Sequence, residues 1–259
     1  GVLGGFRSAA HVISYEIPMG LAIVSLLVVY GTIHLNEIAQ FQGQLLFGFI
    51  PMWGAVLQPL GMVIFIVAAF AETNRTPFDL AEGESELVAG FHVEYSAMKF
   101  AVFFMGEYVA LFVSSAMIVT LFFGCYQVPF LFIATLNNNA KPVAFLLMIA
   151  VPVAMHYFAG WIRRSNVSHY PRENDPRVFE AEIYIKCFWG LVIFLEVVLL
   201  LILFADKGGP AAHIFVMLLQ MATFLVKITM MIFVYIWVRW TLPRFRYDQL
   251  QRLGWQTLL

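Results

Sequence analysis

Apolar residues run on without alternation in six stretches of this chain, at about 12–30, 52–70, 100–123, 143–161, 187–205 and 213–238, and a seventh begins near Leu253. A run of about 20 apolar residues has the length of a membrane-crossing helix. The runs are continuous rather than alternating in twos, and hydrocarbon leaves no backbone amide to be paired by water, so helices rather than strands are expected. The chain therefore predicts an all-α polytopic membrane helix bundle, with six complete spans plus the start of a seventh. It reads as a single transmembrane domain over 1–259, without internal repeats or low-complexity tracts. Pro18, Pro59 and Pro152 fall in or near spans. They predict kinks that free backbone carbonyls for polar groups or water.

Composition narrows the class further. Of 259 residues, 61% are hydrophobic and 12% charged, about half the roughly 25% charge of a soluble domain. A soluble globular enzyme and a disordered tail are excluded. Fifteen Lys and Arg stand against sixteen Asp and Glu, which leaves no basic footprint for nucleic acid. Cys125 and Cys187 lie far apart and outside any metal-ligand spacing, so a disulfide framework, a metal site and an iron–sulfur cluster are not expected. No nucleophile elbow, glycine-rich phosphate loop or dinucleotide fingerprint occurs, so no flavin or nicotinamide is expected either. The sequence opens at Gly1 without a signal peptide and stops within Trp255–Leu259; the expectation is a chain trimmed at both ends.

Lysine and arginine set the orientation. Twelve of the fifteen fall on one side: Arg7, Arg75, Lys99, Arg163, Arg164, Arg172, Arg177, Lys186, Arg239, Arg244, Arg246 and Arg252. Only Lys141 and Lys207 fall on the other, and Lys227 lies within a span. Segments 1–11, 71–99, 162–186 and 241–252 are thus expected on the cytoplasmic or matrix side.

One of these basic-side segments is acidic. It holds Glu72, Asp79, Glu82, Glu84, Glu86 and Glu94 against Arg75 and Lys99. A solvated acidic loop is the plain alternative. The interleaved Phe78, Leu80, Leu87, Val88, Phe91, Val93 and Tyr95 argue instead for packing against something apolar. Thr76-Pro77 favours extended backbone before the proline. Asp79 with Glu82 resembles a capping box and Gly90 a stop, which predicts a short helix over 80–89. Glu82 and Glu86 then share one face, where like charges cost a few tenths of a kcal/mol. Packed carboxylates titrate as a set, which is the chemistry a proton-handling site needs.

Three ionisable residues lie inside spans: Glu16 before Pro18, Glu107 some 10 Å along its run at 1.5 Å per residue, and Lys227 near the middle of 213–238. An intramembrane charge costs at least ~2.5 kcal/mol and marks a functional candidate, the alternative being a structural pair. Glu196 is a fourth case with no supporting neighbour. His34, His156, His169 and His213 read as interfacial, and Phe100, Phe103 and Phe104 as packing.

The segment AETNRTPFDLAEGESELVAGFHVEYSAMK at Ala71–Lys99 resembles the signature of the quinone-chamber membrane subunit of respiratory complex I. Similar blocks are GGFRSAAHVISYE at Gly4–Glu16, FFMGEY at Phe103–Tyr108 and LPRFRYDQLQRLGW at Leu242–Trp255. They stand in the family's order and leave only about 125–212 uncovered. The resemblance implies an all-helical core subunit beneath hydrophilic iron–sulfur and quinone-site subunits and beside small membrane subunits. Quinone, ubiquinone or menaquinone, is the implied substrate. Arg75, Phe78 and Asp79 would border the quinone tunnel. Glu16, Glu72, Glu82, Glu84, Glu86 and Glu107 would form a carboxylate path for protons, and Lys227, which matches a lysine of the family's seventh helix, would join that path as a counter-charge to its carboxylates.

Two departures stand beside the resemblance. The family's first three helices have no counterpart here, and 125–212 reads as an inserted two-span segment between family-like 1–123 and 213–259. The implied location is the bacterial cytoplasmic membrane or, alternatively, the mitochondrial inner membrane. A related membrane-bound hydrogenase or ferredoxin-driven complex is the nearest alternative. A secondary ion transporter would show inverted repeats, and a scaffold would have no need of clustered acids.

Overall fold

The computed structural model describes residues 2–46, 48, 50–73, 78, 97–129, 140–169, 176–204, 210–243 and 245–258. They are helical almost throughout. The long elements are α1 (Val2–Tyr30), α5 (Ala97–Phe122), α6 (Ala140–His169), α7 (Pro176–Phe204) and α8 (Pro210–Thr241). Shorter ones are α2 (Leu35–Gln42), α3 (Gly54–Leu57), α4 (Pro59–Glu72) and α9 (Tyr247–Arg252), followed by one wide turn, Leu253–Leu258. A two-residue hairpin, β1 (Leu45–Leu46) and β2 (Ile50–Pro51), pairs Leu45 with Pro51 and Leu46 with Ile50.

Among the described residues five helices are long and apolar enough to cross a membrane: Ala9–Tyr30, Met98–Phe122, Lys141–Ser165, Phe179–Leu200 and His213–Thr241. The protein is multi-pass. The sixth expected span, 52–70, is broken. Its chain forms α3, leaves helical geometry at Gln58 (φ −140°, ψ 68°) and restarts as α4 with Pro59 at its first turn. Proline supplies no N–H and disfavours helical backbone in the residue before it, so the break falls where the dipeptide demands it. The 14 residues of α4 rise only about 21 Å at 1.5 Å each, against a hydrocarbon layer of about 30 Å.

Two units divide the chain: Gly1–Phe132 with Gln220–Leu259, and Ile133–Leu219. In the first, α1 packs along α4. Tyr15, Ala22, Leu26 and Tyr30 of α1 are buried with Phe65, Ala68 and Ala69 of α4, Leu111, Ile118 and Phe122 of α5, and Ile228, Met231 and Tyr235 of α8. The α1 positions recur at helical spacing, one stripe facing inwards, while Ile13, Leu21, Val24 and Val28 are exposed. Lipid tails are as apolar as leucine, so alanines at the contact matter here because they let helix backbones approach. In the second unit α6 and α7 pair through Met155, Ala159, Ile185 and Val192, with Val151, Ile162 and Trp189 beside them.

Candidate functional site

Glu16 and Glu72 come together. Glu16 lies two residues before Pro18 on α1, and Glu72 is the last residue of α4. Both line one cleft of about 110 Å³, whose other walls are Val12, Tyr15, Met19 and Ala71. Both side chains are exposed, and at roughly 30 Å³ per molecule the cleft has room for a few waters. Two such groups joined by water can pass a proton from one to the other.

Glu72 also lines a second, larger cavity of about 400 Å³, walled by α1, α4 and α5 through Ile23, Phe65, Ala69, Ala110, Ser114 and Met117. Its walls are mostly apolar, with Glu72, Thr73 and Ser114 as polar points. Glu107 is half-buried on α5. It falls three, seven and ten residues before Ala110, Ser114 and Met117, hence on the same helical stripe, one turn short of the cavity lining. Tyr235, buried on α8, stacks on Phe70 at 4.0 Å with its hydroxyl within electrostatic reach of Glu72.

Phe78 is the described residue of the segment 74–96. It is 5% exposed, and its ring lies 5.7 Å from Tyr15 and 5.7 Å from Phe245. Tyr15 in turn donates its hydroxyl to the Leu250 carbonyl at 2.7 Å and packs against the His11 ring at 5.0 Å. One residue earlier, the Ser14 hydroxyl lies 2.7 Å from the Ala10 carbonyl and 2.8 Å from Gln251 Oε1, either of which can accept its one hydrogen, and it accepts the Trp255 indole N–H at 2.8 Å. A Cβ on Gly254 would stand 3.3 Å from the Ser14 carbonyl, so glycine lets this turn lie flat on α1. The blocks 4–16 and 242–255, separated by more than two hundred residues, thus form one wall beside the carboxylate cleft.

Other expected residues stand elsewhere. Arg75, Asp79, Glu82, Glu84 and Glu86, with the predicted helix 80–89, lie outside the described residues. Lys227 donates to three backbone carbonyls of the chain leaving α5. Glu196, on α7, has a buried Oε1 without a hydrogen-bond partner among the described residues. His34, His156 and His213 are exposed. Among the described residues no group of three His, Cys, Asp or Glu side chains could hold a metal ion.

Sequence patterns alone pass over Tyr15, Ser14, Tyr235 and Gln42. Each is a polar side chain deep in an apolar surrounding: 1%, 1%, 2% and 0% exposed. A signal did exist for two of them, since Ser14 and Tyr15 sit inside the block 4–16, next to Glu16. Tyr235 and Gln42 stand in ordinary runs, and only tertiary contact singles them out.

Comparison with known proteins adds to this geometry. A family model described as NADH dehydrogenase matches residues 1–172 and 180–259. The matched stretches include 125–172 and 180–212, most of the segment that motif reading sets apart. An NADH-quinone oxidoreductase subunit of Bdellovibrio bacteriovorus is 38% identical over 269 residues, covering 100% of this chain and 54% of that protein. The corresponding protein of Salinibacter ruber is 38% identical over 260 residues, with 100% and 54% covered. NADH-quinone oxidoreductase subunit 8 of Rhodothermus marinus is 40% identical over 260 residues, with 100% and 55% covered. The chain spans about half the length of these relatives.

Proposed function

Because this chain belongs to the NADH dehydrogenase family and its relatives are named as NADH-quinone oxidoreductase subunits, we propose that it serves as the quinone-chamber membrane subunit of a proton-pumping NADH:quinone oxidoreductase. Quinone, ubiquinone or menaquinone, takes up two electrons and two protons to become quinol. In this reading the electrons arrive from an iron–sulfur cluster of a neighbouring hydrophilic subunit. Arg75, Phe78 and Asp79 border the tunnel by which quinone enters. Glu82, Glu84 and Glu86 follow, and Glu72, Glu16 and Glu107 continue as the carboxylate path into the membrane. Segments 71–99, 162–186 and 241–252 face the cytoplasm or matrix, and the membrane is the bacterial cytoplasmic one.

The observation that carries this reading is the position of Glu72. It opens on a cleft shared with Glu16 and on an apolar cavity large enough for a lipid-like ligand. A carboxylate at that junction feels charge that appears beside the cavity, the more strongly the nearer that charge stands. In this reading Glu16, which lines the same cleft, is the next carboxylate of the path.

The test is Glu72→Gln in the assembled membrane enzyme. Quinone reductase activity is expected to fall about a hundredfold, the low end of what a positioned proton-transfer group supplies, while reduction of an artificial electron acceptor by NADH is kept. Wild-type quinone turnover in Glu72→Gln rules Glu72 out of the path.

A further inference from the structure

Lys227 stands in α8, half-buried, with its ammonium turned to the chain that leaves α5. Nζ donates to the carbonyls of Phe123 at 2.8 Å, Cys125 at 3.1 Å and Gln127 at 2.8 Å. A lysine has three N–H donors, and all three are used. The Trp53 ring lies beneath, its centroid 5.2 Å from Nζ, within cation–π range.

The backbone is shaped for this arrangement. Gly124 and Cys125 both have left-handed backbone, with φ of 75° and 44°, a rare pair that curls the chain so that alternate carbonyls meet at one point. The Cys125 N–H to Val119 carbonyl bond at 3.1 Å and the Gln127 N–H to Gly124 carbonyl bond at 2.8 Å hold the curl. The buried Gln42 amide donates to the carbonyls of Thr120 and Leu121 at 3.2 and 2.9 Å and accepts the Gly124 N–H at 2.6 Å. A Cβ at Gly124 would stand 2.5 Å from the Trp53 indole nitrogen, so glycine is required for the indole to floor the site.

We propose that this turn is an ammonium-binding cradle, three convergent carbonyls above an indole face, for which Lys227 is the resident tethered ligand, and that Lys227 is a positioning residue that fixes the end of α5. The chemistry selects a primary ammonium. The oxygens form a tripod, matching three N–H donors at a point, whereas the planar fork of arginine does not fit a tripod. Helix ends leave carbonyls unpaired and carry partial negative charge, so a cation is favoured here without any carboxylate. Because α5 carries Glu107 and lines the larger cavity, anchoring its end fixes where those groups stand. This inference does not depend on the proposed activity.

Amide hydrogen exchange across residues 119–129, measured on the full chain in its membrane assembly in lipid nanodiscs, tests it. Lys227→Ala is expected to raise exchange in this stretch about tenfold, as local opening replaces the anchored turn. The deleted atoms are those of n-propylammonium. Added n-propylammonium is expected to restore protection, and trimethylpropylammonium, equally charged but without N–H donors, is not. Unchanged exchange in Lys227→Ala, equal rescue by the two cations or rescue by neither overturns the proposal. If Lys227→Ala does not accumulate, Lys227→Met keeps the apolar stem without the ammonium: raised exchange supports the cradle, and wild-type protection overturns it.

Discussion

The ring of Phe78 lies 5.7 Å from that of Tyr15, which places one residue of the acidic segment beside the immediate neighbour of Glu16. Between them the two rings couple the position of a loop residue to a carboxylate cleft, with Phe245 on the far side of Phe78.

Phe78→Ala is expected to loosen this contact. Removing a buried phenylalanine costs about 3–5 kcal/mol where the site cannot collapse. The membrane assembly should show a lower melting temperature and reduced quinone turnover, and Phe78→Leu should keep most of both. A Phe78→Ala protein that melts and turns over like the wild type shows that the ring does not anchor the segment.

Glu16 and Glu72 share one small space, so their substitutions should not add. Glu16→Gln and Glu72→Gln are each expected to cut quinone turnover by about a hundredfold, and the double variant by clearly less than the product, as for groups acting through one network. Rate measurements on the three variants decide it. Full multiplicativity separates the two carboxylates into independent roles. Glu107→Gln, one turn beyond the cavity, should likewise lose pumping; a proton yield equal to wild type removes it from the path.

Glycine positions give a structural check. A Cβ at Gly54 would lie 2.5 Å from the Leu121 carbonyl and 3.1 Å from Leu26 Cδ1, while one at Gly20 meets nothing within 4 Å. Gly54→Ala should therefore cost about 1–3 kcal/mol through overpacking. Gly20→Ala should leave thermal stability unchanged or slightly higher, since alanine is the better helix former. Equal melting temperatures for the two variants contradict the close approach of α3 to α5.

Ser14→Ala removes a hydroxyl that serves Gln251 and Trp255 at once. Losing a hydrogen bond at a partly exposed site costs about 0.5–1.5 kcal/mol. Limited proteolysis across 242–258 should quicken in Ser14→Ala, and also in Trp255→Phe, which keeps an aromatic ring but loses the donor. Unaltered cleavage in both shows that packing alone holds this segment.

Helix type and the long spans are legible in the sequence because continuous apolar runs of membrane length allow little else. The broken run at 52–70 is legible in part: Pro59 predicts a kink, but hydropathy alone cannot tell a bent span from a short helix preceded by a separate turn. The carboxylates Glu16 and Glu72 stand out because charge is costly beside apolar runs, yet their sharing of a cleft depends on how α1 packs along α4. Lys227 stands out for the same reason, and its charge points first to a carboxylate partner. Its carbonyl partners arise instead from two left-handed residues, Gly124 and Cys125, and no side-chain pattern announces a backbone curl. The contact of Ser14 with Trp255 spans 241 residues, a distance at which spacing carries no information.

That last bond bears on biosynthesis. A ribosome must deliver every residue between Ser14 and Trp255 before the two can meet, so the wall beside Glu16 stays incomplete while the intervening spans are being threaded into the bilayer. The Ser14 face of the first helix is made early and waits for its partner, so this contact is late by necessity in the order of synthesis.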